Sequence, residues 1–469
     1  MKIHIIYWNY YLPDGSSMSI GGIQTYLTNL AELLIGLGHT VKIFQRSDVE
    51  FEKKLSDKLT VHGFMRDKRK VKGTTQYLFT RASKYIDFDN DLLVFGAGRL
   101  NELHTLPMPG KKALIVISKG KSTRANGYLD RLENELRQSG CAYVIFDRIQ
   151  ANPLKETVEE GAEWAKSENC DFIIALGGGS VMDSAKVMAM KATNEGDLWD
   201  YVMSGTGKRK TPIHAPLPWI AIPTTAGTGS EVDAGGVITN LKTKEKLGIF
   251  SSFATYAIID PELQTTVPPE YTVFQGFDAL YQLLEGCLCK SANLYSDMLQ
   301  ETGIRHIVEN LPIVYRDGKN VEARAKMAFA TMLSGTSMVV STCTAEHSIE
   351  HALSAYHESL PHGAGLIMIS KAYYNAILRQ HVADDRLIRM AKYMGKEDAA
   401  CPEDFISALL DFQKIFGVDE LKMSDYGIVP EEFDAMASNA MTVMARLYTQ
   451  DIQPLTHEEI VRILQESYR

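Results

Sequence analysis

The sequence predicts an α/β domain followed by an all-α domain, with a further, partial α/β segment in front. Three observations carry that expectation. From Leu92 to about residue 259 short apolar runs alternate with helical stretches, the pattern of parallel strands joined by crossover helices. After "IIDPEL" (258–263) strand signals almost stop, and amphipathic stretches such as "EARAKMAFATMLSG" run to Arg469. Before Leu92 the chain reads strand, glycine turn, helix, strand. The expected domains are therefore 1–91, 92–259 and 260–469.

In the first segment "IHIIYW" is a strand, Gly21 and Gly22 open a helix that Gly38 closes, and "VKIFQR" is the next strand. A lysine-rich stretch, "RDKRKVKGTT", reads as loop. In the second domain "LLVFGAG" from Leu92, "ALIVIS" (113–118), "AYVIFD" (142–147), "DFIIALGGGS" (171–180) and "WIAIPTT" (219–225) are the strands. The third domain is helical throughout.

Composition sets outer limits on function. The chain of 469 residues is 45% hydrophobic and 23% charged, as ordinary globular proteins are, and carries a formal charge of −9. That charge argues against nucleic acid or an anionic membrane as partner, so small molecules are expected. Six scattered cysteines make no disulfide framework and fit a reducing cytoplasm. No run approaches the ~18 apolar residues of a membrane span, and "MKIHIIYW" is too short for a signal-peptide core.

Four motifs carry chemistry. "IALGGGSVMDSAK" places three glycines and Ser180 between a buried strand and a helix, where bare backbone approaches a pyrophosphate and free N–H groups receive it. "IPTTAGTGSEV" (222–232) is a second loop of small, hydroxyl-rich residues, and two such loops in one α/β unit point to a single dinucleotide. The first is not G-x-G-x-x-G, so the ordinary Rossmann fingerprint is absent. Four of the twelve histidines fall in "HSIEHALSAYHESLPHGAGL"; His347 and His351 share a helical face, His362 returns from a turn, and His357 reads as ordinary. "GFDALYQLLEG" sets Asp278 four residues before Gln282, with an amide where a divalent metal site would want an imidazole.

Together with the DPEL segment, these motifs resemble the iron-containing (group III) alcohol dehydrogenases, butanol dehydrogenase-like members above all, from about Leu92 to Arg469. The resemblance implies a dinucleotide-binding α/β domain, a helical domain and a metal in the cleft between them. It implies reduction of a small aldehyde, or oxidation of a primary alcohol, with NADP or NAD and a divalent metal, Fe(2+) or Zn(2+), in a homo-oligomer. Carried over by position, the metal residues are Asp278, Gln282, His347 and His362, three of which match the family's aspartate and histidines. His351 matches the residue near nicotinamide and substrate. Gly177, Gly178, Gly179 and Ser180 with Asp183, and Thr224, Thr225 and Thr228, match cofactor contacts, and Lys246 matches a cofactor lysine.

Members that prefer NAD often carry an aspartate where this chain has Ser118, flanked here by Lys119 and Lys121, so NADP is the expected cofactor. Residues 1–91 resemble the opening of a GT-B glycosyltransferase without its second domain, which implies a truncated fusion or chimera. Two rival readings stand beside the enzyme: a metal-free NADP(H)-binding pseudoenzyme, and a glycosyltransferase fragment fusion.

Overall fold

The computed structural model describes residues 2–6, 31–32, 35, 40–47, 49–65 and 92–469. The chain forms two compact units, 1–90 and 91–469.

In the first unit the β-branched runs pair as the alternation predicts. Strand β1, Lys2–Ile6, lies parallel to β2, Thr40–Ser47, with Lys2 beside Thr40 and Ile6 beside Phe44. Strand β3, Phe51–Ser56, and β4, Leu59–Met65, form an antiparallel hairpin that the sequence reading did not anticipate; β4 runs parallel to β2. The order is β1-β2-β4-β3. Val41, Ile43 and Val61 are fully buried and pack with Ala31 on one face of the sheet, and Phe44 and Gln45 of β2 are buried as well. Gly21, Gly22, Gly38 and the stretch "RDKRKVKGTT" lie outside the described residues.

The second unit begins with the predicted parallel sheet. Its strands are β5 (Leu92–Phe95), β6 (Lys112–Ser118), β7 (Ala142–Ile149), β8 (Phe172–Gly177) and β9 (Trp219–Pro223). A hairpin of β10 (Gly235–Asn240) and β11 (Glu245–Phe250) stands apart from the sheet, and β12 (Tyr256–Ile259) rejoins it. The sheet order is β5-β12-β9-β8-β6-β7, with every pair parallel. All six residues of β8, "FIIALG", are buried, as expected of a strand covered on both faces.

Helices α1 (Tyr128–Ser139), α2 (Lys155–Ser167) and α3 (Gly179–Thr193) make the crossovers. The chain leaves β6 toward β7 and leaves β8 toward β9, in opposite directions across the sheet. The switch point therefore lies beyond the carboxyl ends of β6 and β8, where Ser118 and Gly177 stand, and open α/β sheets bind ligands at such crevices.

The last strand ends at Ile259, and Asp260 of the DPEL segment fixes the exit. It is fully buried and accepts from the backbone N–H of Gly98, Leu100 and Glu262 at 3.0, 3.1 and 3.1 Å, and from Arg131 at 3.0 Å. Five long helices then position the site: α4 (Pro269–Leu288), α5 (Leu294–Arg316), α6 (Val321–Val340), α7 (Ala345–Tyr356) and α8 (His362–Gln380). Their starts are marked by Pro269 in the first turn of α4, a capping box of Asn293 with Ser296 on α5, and Asn320 capping α6. Phe277, Tyr281, Tyr374, Phe405 and Phe412 fill the core between them.

Close backbone approach joins the two halves of this unit. Gly229 sits at φ +65°, and a Cβ on it would lie 2.6 Å from the Gly335 backbone. A Cβ on Gly335 would meet the Gly229 carbonyl oxygen at 2.2 Å. Only glycine fits on either side.

Candidate active site

Helix α4 carries Asp278, Gln282 and Glu285 at spacings of four and three, so one face presents all three. Helix α7 does the same with His347, Glu350 and His351, and His362 opens α8 directly after Pro361. These helices bring the acid and the imidazoles together. His347 Nε2 and His362 Nε2 each lie 3.6 Å from the same Asp278 oxygen. The ring centres of His347 and His362 are 5.3 Å apart, and those of His351 and His362 are 5.4 Å apart. His357 is paired elsewhere, at 2.7 Å from Glu432.

Each imidazole that faces Asp278 is held from behind. His347 Nδ1 bonds Glu285 and His362 Nδ1 bonds Glu350, which fixes the tautomers and turns both Nε2 atoms toward Asp278. These two glutamates, both fully buried, are the residues that sequence reasoning missed. Their spacing gave a signal: Glu285 lies seven residues after Asp278 and Glu350 three after His347. Burial would raise the Glu350 carboxyl, but His362, Lys246 and His351 around it hold it well below the ordinary carboxylate range. Burial, with Lys246 and His362 close by, pushes His351 well below its ordinary value and keeps it neutral.

The set fits a divalent cation. His347 Nε2 is buried without a hydrogen-bond partner, an arrangement that costs free energy unless something accepts its lone pair. One carboxylate oxygen and two imidazole nitrogens converging on one point supply the donors that iron and zinc take. Gln282 is present but turned: its Nε2 donates to Asp278 at 2.9 Å and its Oε1 accepts from Ser334. Its carbonyl oxygen thus points away from the other donors.

The glycine loop and the second loop pack on each other. A Cβ on Gly178 would sit 3.1 Å from Thr225, and one on Gly179 would sit 2.4 Å from Thr228. A Cβ on Gly177 would meet Val181 at 2.6 Å, and Thr224 N–H donates to the Gly177 carbonyl at 2.8 Å. Asp183 ties the loops together, accepting from Ser230 at 2.5 Å and from Val237 N–H at 2.9 Å; burial raises its carboxyl to about 6.

A cavity of about 620 Å³ runs past both halves of the site. It takes Gly179, Ser180, Asp183, Thr228 and Lys246 into its wall together with Asp278, Gln282 and the three histidines. Gly177, Gly178, Thr224 and Thr225 belong to the same loops but not to that lining. Ser118 lines a second cavity of about 480 Å³ with Lys119, Lys121 and Arg124. That cavity also holds a carboxylate the sequence reading did not weigh, Asp147, which Arg124 pairs at 2.9 Å.

Comparison with known proteins covers this unit and stops at its edge. The family described as "Iron-containing alcohol dehydrogenase" matches residues 91–261, and "Fe-containing alcohol dehydrogenase family, C-terminal" matches 272–468. Alcohol dehydrogenase 4 of Saccharomyces cerevisiae is 32% identical over 380 residues, 80% of this chain and 96% of that protein. The 1,3-propanediol dehydrogenase of Citrobacter freundii is 34% identical over 71% of this chain and 85% of its own length. Among solved structures, NADH-dependent butanol dehydrogenase A of Thermotoga maritima superposes with a TM-score of 0.72 at 29% identity, covering 80% of this chain and 96% of that one. Both family matches begin beyond residue 90, and the glycosyltransferase resemblance of the first segment finds no support in them. Neither rival reading is favoured. Among the described residues no helix is long and apolar enough to cross a membrane.

Proposed function

The chain belongs to the iron-containing alcohol dehydrogenase family, and on that premise we propose that it interconverts a small aldehyde and its primary alcohol using NADP(H). The observation that carries the site is the convergence of His347 Nε2 and His362 Nε2, each at 3.6 Å, on one oxygen of Asp278. In this reading Asp278, His347 and His362 hold a divalent metal. Gln282 joins them once its amide turns its oxygen from Ser334 toward Asp278. When bound, the metal supplies a Lewis acid and the nicotinamide a hydride donor.

The remaining work falls to the chain. Gly177 ends β8, and Gly178, Gly179 and Ser180 after it offer helix N-terminal N–H groups to the cofactor phosphates; Thr228 walls the nicotinamide side, with Thr224 and Thr225 behind it in the same loop. Asp183 holds the two loops in register. Ser118, with Lys119 and Lys121, receives a 2′-phosphate. Neutral His351, in the cavity wall beside His347 and His362, exchanges the substrate proton. Apolar side chains of the cavity wall, Phe253, Met338 and Leu447 among them, exclude water from the reacting carbonyl. A homo-oligomer working in the cytoplasm completes the reading.

The test is NADPH consumption with a panel of short aldehydes, after chelation and anaerobic reloading with Fe(2+), Zn(2+), Mn(2+) or Co(2+). Turnover should require metal. NADPH binding with no metal retained after reloading and no turnover on any aldehyde would instead favour the metal-free pseudoenzyme.

A further inference from the structure

The two glutamates behind the metal-facing histidines are secured in different ways. Glu285 is held entirely by the helical half: one oxygen accepts from Thr344 N–H at 3.0 Å, Thr344 Oγ1 at 2.9 Å and His347 N–H at 3.1 Å. Glu350 has no such cradle. Its Oε1 is buried without a hydrogen-bond partner, and its Oε2, bonded to His362, has Lys246 Nζ 3.5 Å away. Lys246 comes from β11, in the α/β half. It crosses to α7, where its ammonium donates to Ser354 Oγ at 2.8 Å, and Ser354 in turn donates to the Glu350 carbonyl at 3.1 Å. Lys246 is 5% exposed, Glu350 and Ser354 fully buried.

We infer that Lys246 is a positioning residue for the metal ligand His362, acting through Glu350, so that the α/β half takes part in holding a metal bound by the helical half. A buried carboxylate is tolerable only when opposing charge and donors surround it. Glu285 finds donors in its own helices. Glu350, with one oxygen unpartnered, depends on Lys246. Without that ammonium the carboxylate faces its buried surroundings uncompensated, and the grip on His362 Nδ1 that aims Nε2 at Asp278 loosens. The inference rests on the metal-site reading above, and it gives Lys246 a role the cofactor-lysine expectation does not contain.

The experiment is Co(2+) binding by the full chain after chelation, read by chelator competition and by the visible d–d spectrum. Lys246→Met should weaken Co(2+) binding about 10- to 100-fold, the range for lost supporting partners, and alter the d–d band. Glu350→Gln should do the same, and the double variant should lose no more than either single change. Glu285→Gln, acting on the other histidine, should multiply with Lys246→Met. Lys246→Arg should restore most of the affinity. If Lys246→Met fails to fold, Lys246→Gln, which keeps a donor for Ser354 without the charge, carries the same prediction.

A metal-free arm separates this inference from the metal reading. In ¹⁵N-histidine spectra of the chelated parent, His362 should hold the Nδ1–H tautomer, and Lys246→Met should mix the tautomers. If Lys246→Met mixes the tautomers that the parent holds apart but the parent takes no Co(2+), the metal reading alone is sunk. A Lys246→Met protein with parental Co(2+) affinity and an unchanged His362 tautomer, or losses from Lys246 and Glu350 that multiply, overturns the inference.

Discussion

The two halves of the larger unit build function from opposite materials. In the α/β half the site is made of what is missing: three glycines without Cβ atoms, packed so closely on Val181, Thr225 and Thr228 that a methyl group at Gly179 would stand 2.4 Å from its neighbour. In the helical half it is made of buried ionisable side chains, Asp278, Glu285, His347, Glu350 and His351, each at most 6% exposed. Backbone donors serve a ligand that brings its own charge. A metal site must supply the charge itself and then secure every carboxylate and imidazole against burial. Changes in the helical half should therefore act through metal affinity and those in the α/β half through cofactor affinity, with Lys246 as the crossing point.

The largest expected effect tests that separation. Asp278→Asn removes the one anion on which both Nε2 atoms converge, so metal retention after dialysis and aldehyde turnover should fall by more than the roughly 100-fold that supporting partners can cost. NADPH affinity, measured by nicotinamide fluorescence, should stay within about threefold, or roughly 0.6 kcal/mol. A matching collapse of cofactor affinity would break the comparison, since the halves would then fail as one.

A smaller effect is expected at Gln282. Replacing it with histidine adds a third imidazole beside Asp278 and gives up the bonds its amide makes to Asp278 and Ser334. An imidazole is a better donor than an amide for iron or zinc, so metal affinity should rise about 10- to 100-fold, with turnover following. If metal content stays flat, Gln282 only packs on α4, and three ligands are the whole of the site.

How much of this was legible in the sequence follows the same division. Asp278, His347 and His362 could be picked out because helical spacing and residue type identify donors without knowledge of what they face. The parallel sheet was legible because buried strands read as apolar runs. The β10–β11 hairpin was not: its turn is reached through Lys244 at φ +51°, where a glycine would have flagged the reversal. Nor did Gln282 reveal its partner, since Ser334 lies 52 residues away on another helix. Asp183 was read as a cofactor contact; that it also ties the two loops together, its oxygens engaged by Ser230 and Val237, is a tertiary arrangement that spacing alone does not encode.

The smallest effect sharpens the α/β side. Ser118 ends β6 at the switch point, in a cavity whose charged groups are Lys119, Lys121, Arg124 and Asp147. Arg124 already faces Asp147 at 2.9 Å, which leaves the two lysines as the free positive charge there. Ser118→Asp adds a second carboxylate to that balance. Two like charges about 4 Å apart repel by roughly 1 kcal/mol in water and more beside low-dielectric protein, so NADPH should bind about tenfold more weakly. NADH, which lacks the 2′-phosphate, should change little, and the order of preference should reverse. Because the cavity is open to solvent, raising the salt toward 1 M should shrink the difference, the screening length falling to about 3 Å. Equal affinities for NADPH and NADH in the parent protein would show that Ser118 does not face the 2′ position. A loss of both cofactors together would instead show a distorted β6 end, and the basis of discrimination would then pass to Arg124 and Asp147.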